Sequence, residues 1–320
     1  MSASDTTVKS SSVAIIAAFA AIYVIWGTTY LGIAISIRTL PPFISGGIRF
    51  IVSGLLMFAW LRFRTPRPFA GVNILAAAIC GVLLAGIGNG LVIWAQQGIP
   101  SGIAALIVTS MPVTVLVLDW AFFSKRAPTR QGLVGTALAL AGVATIVMHT
   151  HSVSGAAHPL HLVSMIVAVL GWALGTLWQK RAATKDNVLS FTTLQVLFGG
   201  AFQLVLSAID GEWAHFDPSA VSLSSWLAVL YLVVFGSIIG LNCYLWLLTR
   251  VPAAKVTTYA LVNPVVALVL GAIVLHEEIT AMTLIATALV LLGVALVLFQ
   301  GWQPTFLRAR QFFSTAERTS

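Results

Sequence analysis

The sequence predicts an all-α integral membrane protein with ten transmembrane helices, arranged as a five-plus-five inverted-topology repeat. Composition is the first observation: only 8% of the 320 residues are charged, 59% are hydrophobic, and the mean hydropathy is +0.99. A soluble domain is roughly a quarter charged, so a soluble enzyme, a disordered chain and a disulfide scaffold are excluded. Ten apolar runs of membrane-spanning length and a tandem similarity between two sets of five are the other observations.

The predicted spans follow from the apolar runs, taken in order. A transmembrane helix needs about 20 mostly apolar residues. The first run is interpreted as a retained span, because it follows a polar start and lacks a small-residue cleavage site. All ten runs are continuously apolar rather than alternating, which excludes a transmembrane β-barrel. The predicted spans are residues 13–37, 42–63, 73–95, 101–123, 132–149, 161–179, 189–209, 225–248, 254–275 and 281–300.

The positive charges predict that both termini are cytoplasmic. With the N-terminus inside, 15 of the 17 Lys and Arg residues lie in inner segments, Arg38 lies in an outer loop, and Arg49 lies within a span. Cytoplasmic loops carry such an excess of basic residues. This distribution also explains the net charge of +8 without a nucleic-acid partner. The outer loops instead carry the acidic residues Asp210, Glu212, Asp217, Glu277 and Glu278.

An internal repeat relates the two halves of the chain. Residues 136–144 match residues 287–295 at seven of nine positions, and collinear matches pair Trp26 with Trp172 and Pro112 with Pro264. Five spans per half is an odd number, so the halves must insert in opposite senses. The predicted organisation is a first five-helix domain, a periplasmic linker, a second five-helix domain and a cytoplasmic tail, at residues 13–149, 150–160, 161–300 and 301–320.

Inverted-topology repeats are typical of secondary transporters, which bind substrate near the midplane between the halves. The repeat therefore predicts a transporter working by alternating access. A passive facilitator that uses the same cavity is the alternative, and a membrane-embedded sensor is disfavoured because the chain has no sizeable soluble domain. The residues leave open whether a proton is the coupling ion and whether the protein is a monomer or a homodimer.

Five motifs resemble those of one transporter family. They are Ile-Trp-Gly-Thr-Thr-Tyr at 25–30, Gly-Ile-Arg-Phe at 47–50, Gly-Asn-Gly at 88–90, Pro-Ser-Gly-Ile-Ala-Ala at 100–105 and Val-Asn-Pro-Val-Val-Ala at 262–267. The chain resembles the EamA family of the drug/metabolite transporter superfamily, specifically its ten-helix bacterial inner-membrane exporters. The resemblance implies two tandem EamA domains and export of small amphiphilic metabolites, amino acids or drugs. One departure is His276-Glu277, where the family has Gly-Glu.

Arg49 is the first candidate substrate-pathway residue. It lies eight residues into its span, roughly 12 Å below the outer end, and Gln195 is its counterpart in the repeat. A charge at that depth is costly and usually faces the bundle interior or a wet cavity. Three interpretations stay open: Arg49 contacts an anionic group of the substrate, it forms a gating pair, or it is a structural arginine bonded to free carbonyl groups.

Polar and aromatic residues near the midplane complete the candidate pathway. Pro112 and Pro264 are predicted to kink their helices and free a carbonyl group, and Ser110 and Asn263 stand beside them. Trp26 and Trp172 are predicted either to form an aromatic wall or to pack in the core. Asn89 either lines the cavity or bonds between helices. Thr28 belongs to the first family motif.

The sequence predicts no enzyme, cofactor or metal. No Gly-Lys-Ser/Thr nucleotide loop and no pairing of a base with a nucleophile are found. His149, His151, His158 and His161 cluster in the loop that joins the halves. That loop has neither cysteine nor carboxylate, so a metal site is disfavoured. The expected partners are a small-molecule substrate and the lipid bilayer of the bacterial inner membrane.

Overall fold

The computed structural model describes residues 3–125, 127–153, 159–183, 187–248, 250–251 and 253–299, and within these ranges every regular element is a helix. The side chains of His149 and His151 lie outside the described residues, as do His158 and the predicted tail. The ten long helices are α1 (Ala3–Ser36), α2 (Pro42–Arg64), α3 (Ile74–Ala95), α4 (Ser101–Ser124), α5 (Arg130–Val153), α6 (Pro159–Ala182), α7 (Val188–Ile209), α8 (Leu223–Leu247), α9 (Tyr259–Leu275) and α10 (Ala281–Leu298).

These helices confirm the prediction of a ten-helix membrane protein. In the described part of the chain, nine are long and apolar enough to cross a bilayer, and α9 is shorter with 17 residues. The predicted span 254–275 is divided, because a short helix at Ala253–Val256 precedes α9. The Thr258 hydroxyl donates to the Lys255 carbonyl at 2.6 Å, and such local side-chain bonds compete with the helical ladder. The predicted linker is shorter than 150–160, since α5 reaches Val153 and α6 begins at Pro159.

The most extensive helix contacts are preserved when each helix is exchanged with the one five positions away, whereas some smaller contacts, such as that of α1 with α4, are not matched to the same extent. The equivalent helices α2 and α7 pack on each other, as do α4 and α9, and α5 and α10. Other contacts come in matched pairs: α1 packs on α8 as α6 packs on α3, and α1 packs on α9 as α6 packs on α4. Two equivalent halves related by a pseudo-two-fold axis produce this pattern.

The nine-residue sequence match is the interface between α5 and α10. Its two glycines, Gly142 and Gly293, lie where the helix backbones meet. A Cβ atom at Gly142 would lie 2.9 Å from the Ala286 oxygen, and one at Gly293 would lie 2.4 Å from the Ala139 nitrogen. No side chain fits at either glycine, so the repeated motif serves close helix packing.

Two structural details recur in both halves. An eight-residue π-helical segment interrupts α3 at Val82–Asn89, and another interrupts α8 at Leu232–Ile239. Each segment is followed by a glycine, Gly90 in the first half and Gly240 in the second. Left-handed residues end the equivalent helices α4 and α9, with φ of 56° at Lys125 and 57° at His276. The halves therefore share irregularities as well as spans.

The two repeat-related prolines occupy different positions in their helices. The helical geometry of α4 stops at Val108 and resumes at Met111, with Pro112 in the first turn of the second piece. Pro264 instead lies inside the continuous helix α9. Proline is tolerated in the first turn of a helix, where its missing N–H group has no partner to lose. Because proline removes the hydrogen bond to the carbonyl four residues earlier, the break at Thr109 and Ser110 fits the predicted effect of Pro112, whereas α9 runs through Pro264 without a break.

Candidate functional site

Arg49 is a buried charge on α2, and its side chain is 6% exposed. Its Nε atom donates to the Ser237 hydroxyl at 3.1 Å. Its Nη1 atom is buried and has no hydrogen-bond partner among the described residues. Ser237 belongs to the π-helical segment of α8, so the irregular part of that helix faces the arginine. π-helical segments are frequent at functional sites.

Gly236 lies between the side chains of Arg49 and Trp26. The indole Nε1 atom of Trp26 donates to the Gly236 carbonyl at 3.2 Å. A Cβ atom at Gly236 would lie 3.2 Å from Nη2 of Arg49 and 3.1 Å from Cγ2 of Thr29. Helices α1, α2 and α8 therefore meet at Gly236 with little space to spare, and a larger residue there would push on the guanidinium group.

An aromatic cluster extends from Trp26 toward α9. Its ring packs against Tyr259 at 4.7 Å and Tyr244 at 5.3 Å between centroids, and Tyr244 lies 6.0 Å from Tyr259. Thr28 is the second candidate on α1, and its hydroxyl is hydrogen-bonded to the hydroxyl of Tyr231. The half-buried residues Trp26 and Thr28 thus lie on α1 with aromatic rings of α8 and α9 around them.

Asn263 ties α9 to α1. With its amide nitrogen facing α1, it donates to the carbonyl groups of Tyr259 at 3.0 Å and Tyr23 at 3.3 Å. Tyr23 also reaches the Thr258 hydroxyl at 2.6 Å through its own hydroxyl. Pro264 follows Asn263 and is buried. The structure therefore brings together Trp26, Thr28, Arg49 and Asn263, which are four of the predicted pathway residues.

The remaining candidates make other contacts. Asn89 donates to the Leu84 carbonyl at 3.2 Å and so bonds within the π-helical segment of α3. Trp172 packs against two hydrophobic clusters that contain residues of both halves. Gln195 is 9% exposed, and its Oε1 atom has no partner among the described residues. The Ser110 hydroxyl donates to the Ile107 carbonyl at 2.7 Å, within the break in α4.

Two carboxylates that sequence reasoning used only as loop markers have specific roles. Glu212 accepts hydrogen bonds from the Phe43 and Ile44 amides at 2.9 and 2.8 Å. Glu277 accepts from the Ser101 and Gly102 amides at 2.7 and 3.1 Å. These amides are the free donors of the first turns of α2 and α4. Each carboxylate comes from the second half of the chain and caps a helix of the first half.

A sequence signal for these caps exists. The residue before α2 is Pro41 and the residue before α4 is Pro100, and neither supplies a capping side chain. Ser, Thr, Asp or Asn is preferred at that position, so each helix needs a cap from elsewhere. Burial raises the pKa of Glu212, and the Phe43 and Ile44 amides act in the opposite direction.

His276 occupies a left-handed position that favours glycine. It ends α9 with φ of 57° and ψ of 33°, and the Glu277 amide donates to the Gly271 carbonyl at 3.1 Å. Glycine adopts this conformation without the penalty of a Cβ atom. The turn directs Glu277 back toward α4, so the carboxylate keeps its position although the preceding glycine of the Gly-Glu pattern is replaced.

Comparison with known proteins agrees with this architecture. The EamA-like transporter family matches residues 12–148 and 160–299. The chain is 34% identical over 278 residues to the inner membrane transporter YedA of Escherichia coli (strain K12), covering 87% of this chain and 88% of that one. It is 29% identical over 287 residues to Protein PagO of Salmonella typhimurium, covering 89% and 93%.

Two further similarities extend the comparison. The chain is 26% identical over 294 residues to a protein of Escherichia coli (strain K12) named "Probable amino-acid metabolite efflux pump", covering 87% of this chain and 92% of that one. A solved crystal structure has a TM-score of 0.60 at 19% identity, over 89% of this chain and 97% of that one, and this likeness concerns the fold alone. The chain belongs to the EamA-like transporter family, as a multi-pass transporter of the inner membrane.

Proposed function

We propose that the protein is a secondary transporter that exports small organic solutes from the cytoplasm by alternating access. The observation that carries the proposal is the packing pattern, in which the most extensive helix contacts are preserved after exchange of the two halves. When two equivalent halves have opposite orientations, they can exchange conformations. This exchange converts a state that is open to one side of the membrane into a state that is open to the other side. The relative named as an amino-acid metabolite efflux pump supports the outward direction.

The proposed substrate site lies where α1, α2 and α8 meet. Arg49 supplies a charge with an open hydrogen-bond donor there, and Trp26 supplies an aromatic surface beyond Gly236. Helix irregularity at a membrane midplane is tolerated where it is buried in protein or lines a cavity. The π-helical segment beside Arg49 fits a region that rearranges as the site changes its exposure.

The two capping carboxylates support a conformation with a closed outer end. Glu212 and Glu277 are predicted to lie on the outer side, and each bonds across the two halves. Opening that end separates the halves and breaks these bonds. A proton is the proposed coupling ion, because protonation of a buried outer carboxyl changes the strength of such a cap.

Transport into inside-out vesicles tests the proposal. Labelled amino acids, organic acids and neutral metabolites are offered with and without a pH gradient, and unlabelled solute inside the vesicles tests counterflow. We expect saturable uptake of at least one solute, accelerated by counterflow and dependent on the pH gradient. Uptake that does not saturate and lacks counterflow would indicate a passive facilitator instead.

A further inference from the structure

Arg49 combines a full charge with a free donor. Its Nε atom is held by Ser237 at 3.1 Å, while Nη1 is buried without a partner among the described residues. A structural arginine would use its donors on protein acceptors, since an unmade buried hydrogen bond is costly. The arrangement of Arg49 suits a ligand that supplies the missing acceptor.

The acidic residues point to the charge of that ligand. Within the apolar spans of the described helices, which for α1 begin at Ser12, the only carboxylate is Asp119, and it lies near the end of α4. Glu212 and Glu277 lie between helices and already bind backbone amides. No described carboxylate is therefore available beside Arg49 to bind an ammonium group. The surroundings favour a negative ligand over a zwitterion.

The neighbouring side chains point to the rest of the ligand. Trp26 is half-buried and lies across Gly236 from the guanidinium group, with Tyr244 and Tyr259 against its ring. Apolar and aromatic surfaces line most small-molecule sites, with a few polar groups that fix the orientation. A ligand with an apolar body and a carboxylate fits this site. The body would contact the aromatic rings, and the carboxylate would accept a hydrogen bond from Nη1 of Arg49.

On the basis of the proposed transport function, we propose that the substrates are singly charged organic carboxylates with an apolar or aromatic body. Arg49 binds the carboxylate, and the rings of Trp26 and its neighbours contact the body. With a carboxylate both partners of the hydrogen bond are charged, whereas with an amide only Arg49 is, and the added charge strengthens binding by about a factor of 10. The site therefore binds a carboxylate about 10-fold more tightly than the amide of the same shape.

Ligand-induced stabilisation of the purified full-length protein tests this inference. The probes are phenylacetate with phenylacetamide, indole-3-acetate with indole-3-acetamide, and the zwitterion phenylalanine. Melting temperature is followed against concentration for the wild type, for Arg49→Gln, and for Arg38→Gln as a control on an exposed arginine. We expect the carboxylates to stabilise the wild type and Arg38→Gln at about 10-fold lower concentration than the amides, and Arg49→Gln to lose this preference.

The outcomes separate the inference from the proposed function. Equal stabilisation by carboxylate and amide in the wild type, or a preference that survives in Arg49→Gln, would overturn the inference; so would the absence of stabilisation by any probe. If Arg49→Gln does not fold, the comparison of carboxylate and amide in the wild type decides. Saturable transport of neutral solutes without this preference leaves the transport function intact and removes the substrate class. A carboxylate preference without transport of any probe removes the function instead.

Discussion

Replacing Glu277 with alanine removes the carboxylate that caps α4 from the loop between α9 and α10. The carboxylate accepts two amide hydrogen bonds, at 2.7 and 3.1 Å, from the opposite half of the chain. A capping side chain contributes about 0.5–2 kcal/mol. If the cap exists only while the outer end is closed, its loss increases the open population by about 2- to 30-fold.

Cysteine labelling measures that population. In a background with Cys80 and Cys243 replaced by alanine, Ser237→Cys places a reporter beside Arg49, where Ser237 is 6% exposed. We expect Glu277→Ala to increase the rate of labelling by an impermeant maleimide from outside by about 2- to 30-fold. The matched control is Glu278→Ala, because Glu278 is the exposed neighbour and makes no cap. Equal labelling rates in the two variants would refute the assignment of Glu277 as an outer closure.

Three further predictions concern single positions. Burial raises the pKa of Glu212 above its ordinary value of 4.5, so the folded protein binds this proton more readily than the unfolded chain. Melting temperature should therefore rise as the pH falls toward that value, and Glu212→Gln should reduce the rise. His276→Gly should stabilise the protein by about 1 kcal/mol, because it relieves a left-handed residue; His276→Ala should give no such gain in thermal unfolding. Pro112→Ala should lower transport with near-normal expression, because it allows α4 to continue through the break at Thr109 and Ser110; normal transport would show that the break is only a packing feature.

The spans were predictable from the sequence because hydropathy is a local property. Each apolar run contains enough information to specify a membrane helix. The repeated segments 136–144 and 287–295 also lie where α5 contacts α10. The division near Thr258 was not predictable in the same way, because it depends on a hydroxyl that bonds within one turn and to Tyr23 on another helix.

The candidate site was predictable in part. The cost of a charge in an apolar span identifies Arg49 as a candidate, and the structure shows that Trp26, another candidate, bonds Gly236 beside it. The contacts themselves join residues nearly 190 positions apart, such as Arg49 and Ser237. The caps from Glu212 and Glu277 likewise bridge distant segments. The prolines before α2 and α4 indicate that each helix needs a cap from elsewhere, but the partner depends on tertiary packing, so no local pattern identifies it.

Single-cysteine topology labelling tests the central claim most directly, since alternating access by equivalent halves requires that the halves are inverted. Lys125 and His276 end the equivalent helices α4 and α9, and Glu278 lies just beyond His276. With an impermeant reagent on intact cells, we predict that Glu278→Cys is labelled from outside and that Lys125→Cys is labelled only after the membrane is opened. Labelling of both positions from the same face would contradict the inverted repeat, and with it the proposed mechanism of transport.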